Sequence, residues 1–443
     1  MSITLRGEHF KRDFDYMVYE DGDYFKVLNG DSLAIDYKDK DASTAVAKAI
    51  SFLTPDRTRK EIVKLKGNFV LTAPIELDSY MILDLRGAKL LLADGVNDSI
   101  IKADSKSHFE IIGGLLDGNR DNQTAGEGID VINCRDFLVK DVFIENSRGH
   151  GVLVRDGSER GTVDSCTAIN TSGAGFCLSS LNGEVRHVVV SNSKARANNY
   201  NGIFLYFGTR QCSVIGCSVR EVTFGWGIEF ENVLYCQAIG NNIRDCLGIG
   251  MKITGSSGIE NAFIGNSIYN VGKHGIVVNG NYNVVMGNVV ERASNEEDGR
   301  YDGIGLAADD GGGGVGSGSV NHNIIKENII IAPTFYNGLR HGIREYGGDH
   351  NIIAYNTIIP NEIRHEIIMW VGSNTRVGRN IGFVTENSGE ATISAGSTYV
   401  DVPHGLDVTP DPNKIRIVPK DDLGGRSYWI SDVDASKFRI NIG

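Results

Sequence analysis

Two glutamates, Glu229 and Glu231, stand two residues apart in the run "GWGIEFEN", and Tyr206 and Lys252 occupy runs of similar form on either side. Residues i and i+2 of an extended strand point the same way, roughly 6.6 Å apart by strand rise. That spacing lies within the roughly 6.5–9.5 Å that separates the acid and base of an inverting glycoside hydrolase. The same residues suit a second chemistry. Abstraction of the weakly acidic C5 proton of a uronic acid needs a base such as tyrosine or lysine. It also needs a cation that neutralises the sugar carboxylate. Tyr206 and Lys252 fit an acid/base pair, with Glu229 and Glu231 as supporting or catalytic carboxylates. A surface ion pair beside a solvated carboxylate is the plain alternative for Glu229, Lys252 and Glu231. His150, Arg155, Phe204, Trp226, His274 and Arg344 lie at matching places in neighbouring runs and fit substrate contacts.

What positions these residues is a repeat. "RGHGVLVRDG" from Arg148, "SGAGFCLSS" from Ser172, "NYNGIFLYFG" from Asn199 and "GKHGIVVNG" from Gly272 are one phrase with changing polar letters. The marker glycines Gly128, Gly151, Gly175, Gly202, Gly227, Gly250, Gly275, Gly303 and Gly342 recur about every 25 residues, the mark of a solenoid. A second lattice of Asn192, Cys217, Asn241, Asn266, Asn288, Asn328, Asn356 and Asn380 runs between them and fits an internal side-chain ladder at a bend. Both lattices lie in β-rich runs, which excludes helical repeats. The implied fold is all-β: a right-handed parallel β-helix whose equivalent strands stack about 4.8 Å apart. The residue after each marker glycine then points inward, and those two and four after it point outward. Glu229 and Lys252 share one outward column, and the face predicted is a flat platform of aromatic, acidic and basic groups.

Composition bounds the rest. The chain has 443 residues, 41% hydrophobic and 23% charged, as in an ordinary folded protein. Its formal net charge of −12 argues against nucleic acid as a partner, which needs a basic footprint. The polar start "MSITLRGEHFKRDFDY" lacks a signal-peptide pattern, and no apolar run is long enough for a membrane partner. Synthesis in a cytoplasm, with release by lysis or as part of a virion, is the expectation. The seven cysteines lie singly in apolar runs with no CxxC pair, as buried thiols do.

The organisation predicted is an N-terminal segment over 1–40, a capping helix with the β-helix over 41–385, and a β-sandwich-like domain over 386–443. Asp41 or Ser43 suits the N-cap of a helix with Ala42, Val46, Ala49, Ile50 and Phe52 on its apolar face. Two insertions, 291–303 and 305–319, break the period. Their acidic residues Glu296, Glu297, Asp298, Asp309 and Asp310, or the pair Glu229 and Glu231, are the places where Ca²⁺ would bind; no other cofactor is expected.

The helix cap, "LLDGNRDNQT", the repeated coils and the β-rich tail together resemble the pectate-lyase and polygalacturonase superfamily. "LLDGNRDNQT" itself looks like the stretch that precedes the catalytic coils of alginate C-5 epimerase modules. The Tyr-Gly-Phe-Asp-Pro-His-Glu motif of those modules is replaced, with His150, Leu153 and Arg155 at its Tyr, Asp and His positions. Gly149-His150-Gly151 matches the polygalacturonase GHG, but "GEGID" stands where paired aspartates belong. The tail, with "VPHGL" and "SYWISDVDASKFRINI", resembles C-terminal domains of phage tailspikes and tail fibres, which implies a homotrimer. These resemblances imply a polysaccharide partner and a lyase acting on an acidic, uronic-acid-containing polymer. A hydrolase using Glu229 and Glu231, a C-5 epimerase and a noncatalytic carbohydrate-binding fibre are the alternatives.

Overall fold

The computed structural model describes residues 13–255, 258–308, 320–332 and 337–443. The chain winds into a right-handed parallel β-helix of about twelve turns. A typical coil carries three short strands, such as Arg135–Lys140, Phe143–Glu145 and Val152–Arg155. Each pairs in parallel with its counterpart one coil on: Glu159–Asp164, Thr167–Ile169 and Phe176–Ser179. Three faces result. The strands that follow the marker glycines form a twelve-stranded sheet from Ile75–Glu76 to Ile368–Met369, here the groove sheet. The other two, the second and third sheets, begin on one long strand, Glu61–Leu71. It turns at Gly67 (φ +117°), pairing first with Met81–Asp84 and then with Ala88–Leu92.

The marker glycines have a steric cause. A Cβ on Gly227 would stand 2.5 Å from the carbonyl oxygen of Gly250 and 2.4 Å from Ile243 Cγ2; the glycines up and down the column meet the same obstruction. The residues one and three after the glycine, such as Ile228 and Phe230, fill a dry interior.

Amide groups at the bends are satisfied by side chains one coil on. The N–H of Cys217 donates to Asn241 Oδ1, Asn241 to Asn266, Asn266 to Asn288, Asn288 to Asn328, Asn328 to Asn356 and Asn356 to Asn380, all at 2.8–3.0 Å. Asn192 is corrected out of this ladder. It is exposed at φ +50°, and the neighbouring buried Ser193 takes the internal place, accepting the Cys166 N–H at 3.1 Å. A parallel ladder at the next bend joins Cys236, Asn261, Asn283, Asn323 and Asn351 at 2.8–2.9 Å. The seven cysteines are buried and unpaired as disulfides, and burial pushes the Cys166 thiol up to about 12.

The N-terminal end is covered by the helix Ala42–Ser51, with Asp41 Oδ1 accepting the Thr44 N–H at 2.7 Å and Ala42, Ala45, Val46 and Ala49 buried. Ahead of it Tyr16–Asp21, Tyr24–Asn29 and Ile35–Asp39 form an antiparallel meander whose first strand joins Glu61–Leu71 in parallel. Beyond the last coil, Tyr399–Pro403, Tyr428–Ser431 and Lys437–Ile442 form one antiparallel sheet rather than a sandwich. Pro410, Pro412 and Pro419, which cannot donate to a ladder, occupy the stretch where further strands would lie.

Replacing Asn288 by Ala strands two buried donors of Asn266, its N–H and its Nδ2, both of which now meet Asn288 Oδ1 at 2.9 Å. The expected loss is about 1–3 kcal/mol per stranded group, read as a lower urea midpoint. An unchanged midpoint would deny the ladder its structural role.

Candidate active site

One outward column of the groove sheet runs Asp130, Leu153, Cys177, Phe204, Glu229, Lys252, Val277, Gly305 and Arg344, each one coil from the next. Its middle gathers Phe204, Tyr206, Trp226, Glu229 and Lys252. Lys252 Nζ lies 3.5 Å from Glu229 Oε1 and 4.3 Å from the Trp226 ring centroid. Asn201 joins them. Its Nδ2 donates to Glu229 Oε2 at 2.8 Å, and its Oδ1 accepts the Trp226 N–H at 2.8 Å. The Tyr206 ring is 5.0 Å from Phe204, and Tyr200 stands edge-on to Phe204 and Trp226 at 5.7 and 6.4 Å.

This is not the flat, open platform predicted. Glu229 is 1% exposed and Lys252 6%, although both point away from the coil interior. The loops entering the sheet carry Tyr200 and Trp226 across the strand ends and turn the face into a cleft. Leu153, Ala174, Cys177 and Phe204 form its apolar floor, with Tyr206 packed against them. Glu229 meets the Lys252 ammonium on one oxygen and the Asn201 amide on the other. Tyr206 and Glu231 are only partly buried, and Tyr200 and Phe207 are exposed at the rim. Burial, and then the charges of Glu229 and Glu231, push the Tyr200 hydroxyl up.

The other candidate residues lie elsewhere. His150 and Arg155 sit two coils before Phe204, and Arg155 is clamped by Asp130 (3.0 and 3.1 Å) and Asp156 (2.9 Å). His274 is not a surface contact. It is fully buried, its Nδ1 accepts the Asp302 N–H at 3.0 Å, and the Tyr301 ring lies 5.2 Å away. Arg344, four coils from Glu229, stacks on Tyr346 at 4.0 Å and reaches His341 Nε2 at 3.3 Å.

The residue preceding each marker glycine explains much of this. Glu127 accepts the N–H of His150, His150 Nδ1 that of Ala174 at 2.9 Å, and Asp302 Oδ1 that of His341 at 3.2 Å. Asn201 and His274 act likewise, so a third side-chain ladder runs along the cleft edge. With Nδ1 accepting, His150 carries its proton on Nε2. Burial holds it down to about 4, and burial pushes the Glu127 carboxyl up to about 7. Glu127 stands just before the marker glycine Gly128, and the sequence alone gives it no role of its own. The glycine at 149 was the available signal: a Cβ there would stand 2.2 Å from Glu127 Oε2.

At the places named for calcium, several of the described carboxylates are engaged within the chain. Glu229 is occupied by Asn201 and Lys252. Glu297 pairs with Arg300 and Asp298 with Arg364, while Asp309 and Asp310 lie outside the described residues. Among the described residues no group of three or more His, Cys, Asp or Glu is placed to hold a metal ion. None of their helices is long and apolar enough to cross a membrane.

With this architecture the chain is a right-handed parallel β-helix protein. Residues 94–225 match the family described as the right handed beta helix region. No curated protein matches the sequence. Among solved structures it is similar to the A-module of mannuronan C-5 epimerase AlgE6 from Azotobacter vinelandii. The two are 17% identical over 77% of this chain and 95% of the other, with a TM-score of 0.66. It is also similar to DFA-IIIase from Arthrobacter chlorophenolicus A6, at 12% identity, 79% and 96% coverage and a TM-score of 0.55. The N-terminal fragment of bacteriophage Phi29 gene product 12 matches at 14% identity, 76% and 69% coverage and a TM-score of 0.52. Identities this low carry the fold alone.

Two measurements test this geometry. Lys252→Met leaves Glu229 buried without its cation and is expected to cost about 3–5 kcal/mol in urea unfolding. The Glu229→Gln, Lys252→Met pair should recover most of that; equal losses would mean the two are not coupled. The second is a pH profile. Glu127, at about 7 folded against about 4.3 unfolded, contributes stability that is full at low pH and lost as pH rises through 7. His150, at about 4 against about 6.5, contributes stability present above 6.5 and lost as pH falls through 4. The slopes oppose and nearly cancel between pH 4.5 and 6.5. Glu127→Gln should therefore unmask a rise of about 2 kcal/mol across that window, and a flat profile in the variant would refute the assignment.

Proposed function

We propose that the chain is a carbohydrate-active enzyme that cleaves an acidic, uronic-acid-containing polysaccharide in the cleft by β-elimination. The observation that carries this reading is the convergence of Tyr206, Trp226, Glu229 and Lys252 in one cleft rimmed by exposed aromatics. Tyr200, Phe207 and Trp226 offer rings on which sugars stack. Tyr206, as its phenolate, takes the C5 proton, the C4–O4 bond breaks as the C4–C5 double bond forms, and the Tyr206 hydroxyl so formed gives that proton to the departing O4, which restores the phenolate. Lys252, paired with Glu229 beneath the surface that the polymer touches, adds positive charge below the place where the carbanion-like state gathers negative charge. Glu231 orients the substrate at the cleft's outer edge. That the AlgE6 module is named a mannuronan epimerase, acting on a uronan, supports the substrate class.

Hydrolysis is the second reading, favoured by Glu127. A carboxyl that burial pushes up to about 7, two residues from the GHG-bearing coil's partner strand and near Asp130, suits a general acid.

The test is a screen of alginate, pectate, hyaluronan and capsular polymers scored for ultraviolet-absorbing unsaturated ends and for reducing ends. Unsaturated ends are expected, reduced about 10²–10⁴-fold in kcat by Tyr206→Phe. Reducing ends without ultraviolet gain, lost in Glu127→Gln with a rate that falls above pH 7, would establish hydrolysis instead. Binding without any shortening of polymer would overturn both.

A further inference from the structure

In the outward column that closes each third-sheet strand, Arg196, Arg220 and Arg244 stand in register on successive coils. Before them come Asp117, Glu145 and Ile169, and after them Tyr269, Glu291 and Ile331. In a chain of net charge −12, the cations of this column are thus confined to three coils. Those coils also carry the cleft. Arg196 leads into the strand of Phe204, Arg220 into that of Glu229 and Arg244 into that of Lys252. Lys194, two residues before Arg196 on the same strand, adds a fourth positive charge to this face.

Like charges directly opposite on neighbouring strands, about 4.8 Å apart, repel. The chain relieves little of this. Arg196 Nε meets Glu221, one coil on, at 2.9 Å. Asp245 holds the same place relative to Arg220, yet it accepts Asn270 Nδ2 at 2.6 Å instead. Among the described residues neither Arg220 nor Arg244 has a salt bridge, and Arg244 Nε finds no acceptor. Arg244 stacks on Tyr269 at 5.0 Å, and Arg292 donates to the hydroxyl of that ring at 2.6 Å. The Arg244 guanidinium is therefore held in place with its hydrogen-bonding capacity open. The bend between this row and the cleft holds a groove of about 580 Å³, lined by Phe224, Asp245, Leu247, Asn270 and Lys273. Phe224 is 83% exposed, an apolar ring facing water among polar groups, as a site that stacks a sugar needs.

We propose that Lys194, Arg196, Arg220 and Arg244 form a second binding site for the carboxylates of an acidic polysaccharide, holding one stretch of the polymer while another lies in the cleft. The occupant follows from charge and shape. Guanidinium groups pair with carboxylates through two parallel hydrogen bonds. A row of them at the coil spacing fits a chain that carries its own charges in a row. A broad anionic surface would also meet Glu221 and Asp245, which follow Arg220 and Arg244 at the bend. A single linear polymer lying along the row avoids them. The polymer class rests on the proposed function, while the site needs no catalysis in the cleft.

Electrophoresis of the full chain at low salt through gels holding pectate or alginate, read against gels without polymer, tests the site. The chain should be retarded, and pectate whose carboxylates have been reduced to alcohols should not retard it. Arg220→Gln with Arg244→Gln should weaken retention about tenfold. Glu221→Gln, which frees Arg196, should strengthen it. The urea midpoint of each variant shows that it is folded. Retention lost in the double variant, with no polymer cleaved by the wild type, would keep this site and remove the catalytic reading. Cleavage by a double variant retained as tightly as the wild type would remove this site alone. A wild-type chain that neither acidic gel retards, or that the reduced polymer retards equally, would also overturn the proposal.

Discussion

A buried backbone amide must find an acceptor. In this chain that requirement falls hardest on the bends, where no strand neighbour is available. Three side-chain ladders meet it: the asparagine column ending at Asn380, the parallel column ending at Asn351, and the mixed column Glu127, His150, Asn201, His274 and Asp302 at the cleft edge. Each rung joins one coil to the next, so the ladders set the axial register of the stack. The outward columns, and hence the neighbours of Glu229 and Lys252, are a consequence of that register.

The cleft shows how one ladder serves two ends. Asn201 holds the Trp226 amide with its oxygen and Glu229 with its nitrogen, so the scaffold itself delivers Trp226 over Lys252. The ion pair beneath is then shielded from water, where an ammonium and a carboxylate interact far more strongly than at a surface. The price of that strength is access: the groups a polymer can touch are Tyr206, Glu231 and the rim aromatics, not the buried pair.

The coils were legible because their causes are local. A Cβ at any marker glycine collides with the coil above, and an asparagine at a bend accepts a backbone amide with its oxygen and donates with its nitrogen, so both leave a period in the sequence. The in-register columns followed from that period and strand alternation. Burial did not, because it depends on where loop side chains such as Tyr200 and Trp226 fall after the coil closes. His274 looked like a contact for the same reason; only the approach of Tyr301 and Asp302, one coil and 28 residues on, encloses it. The second asparagine ladder left a signal too, in the five-residue spacing of "NAFIGN", "NVVMGN" and "NIIKEN".

The ladder also alters how the polar residue before each glycine should be weighed. Any acceptor of suitable reach satisfies the next coil's amide, which is why Glu, His, Asn and Asp alternate there without disturbing the fold. Scaffold demand therefore fixes that an acceptor is present, and leaves its chemistry free. Ala174, Trp226 and Ile249 interrupt the series, the first two where the cleft has its apolar floor and aromatic wall. At Glu127 the acceptor is instead a carboxyl, which burial pushes up to about 7, a group the ladder does not require and an amide such as Asn201 would replace at less desolvation cost. Asp302 is likewise an ionisable acceptor in this column, so the carboxyl at 127 is a local desolvation cost that a neutral acceptor would not carry.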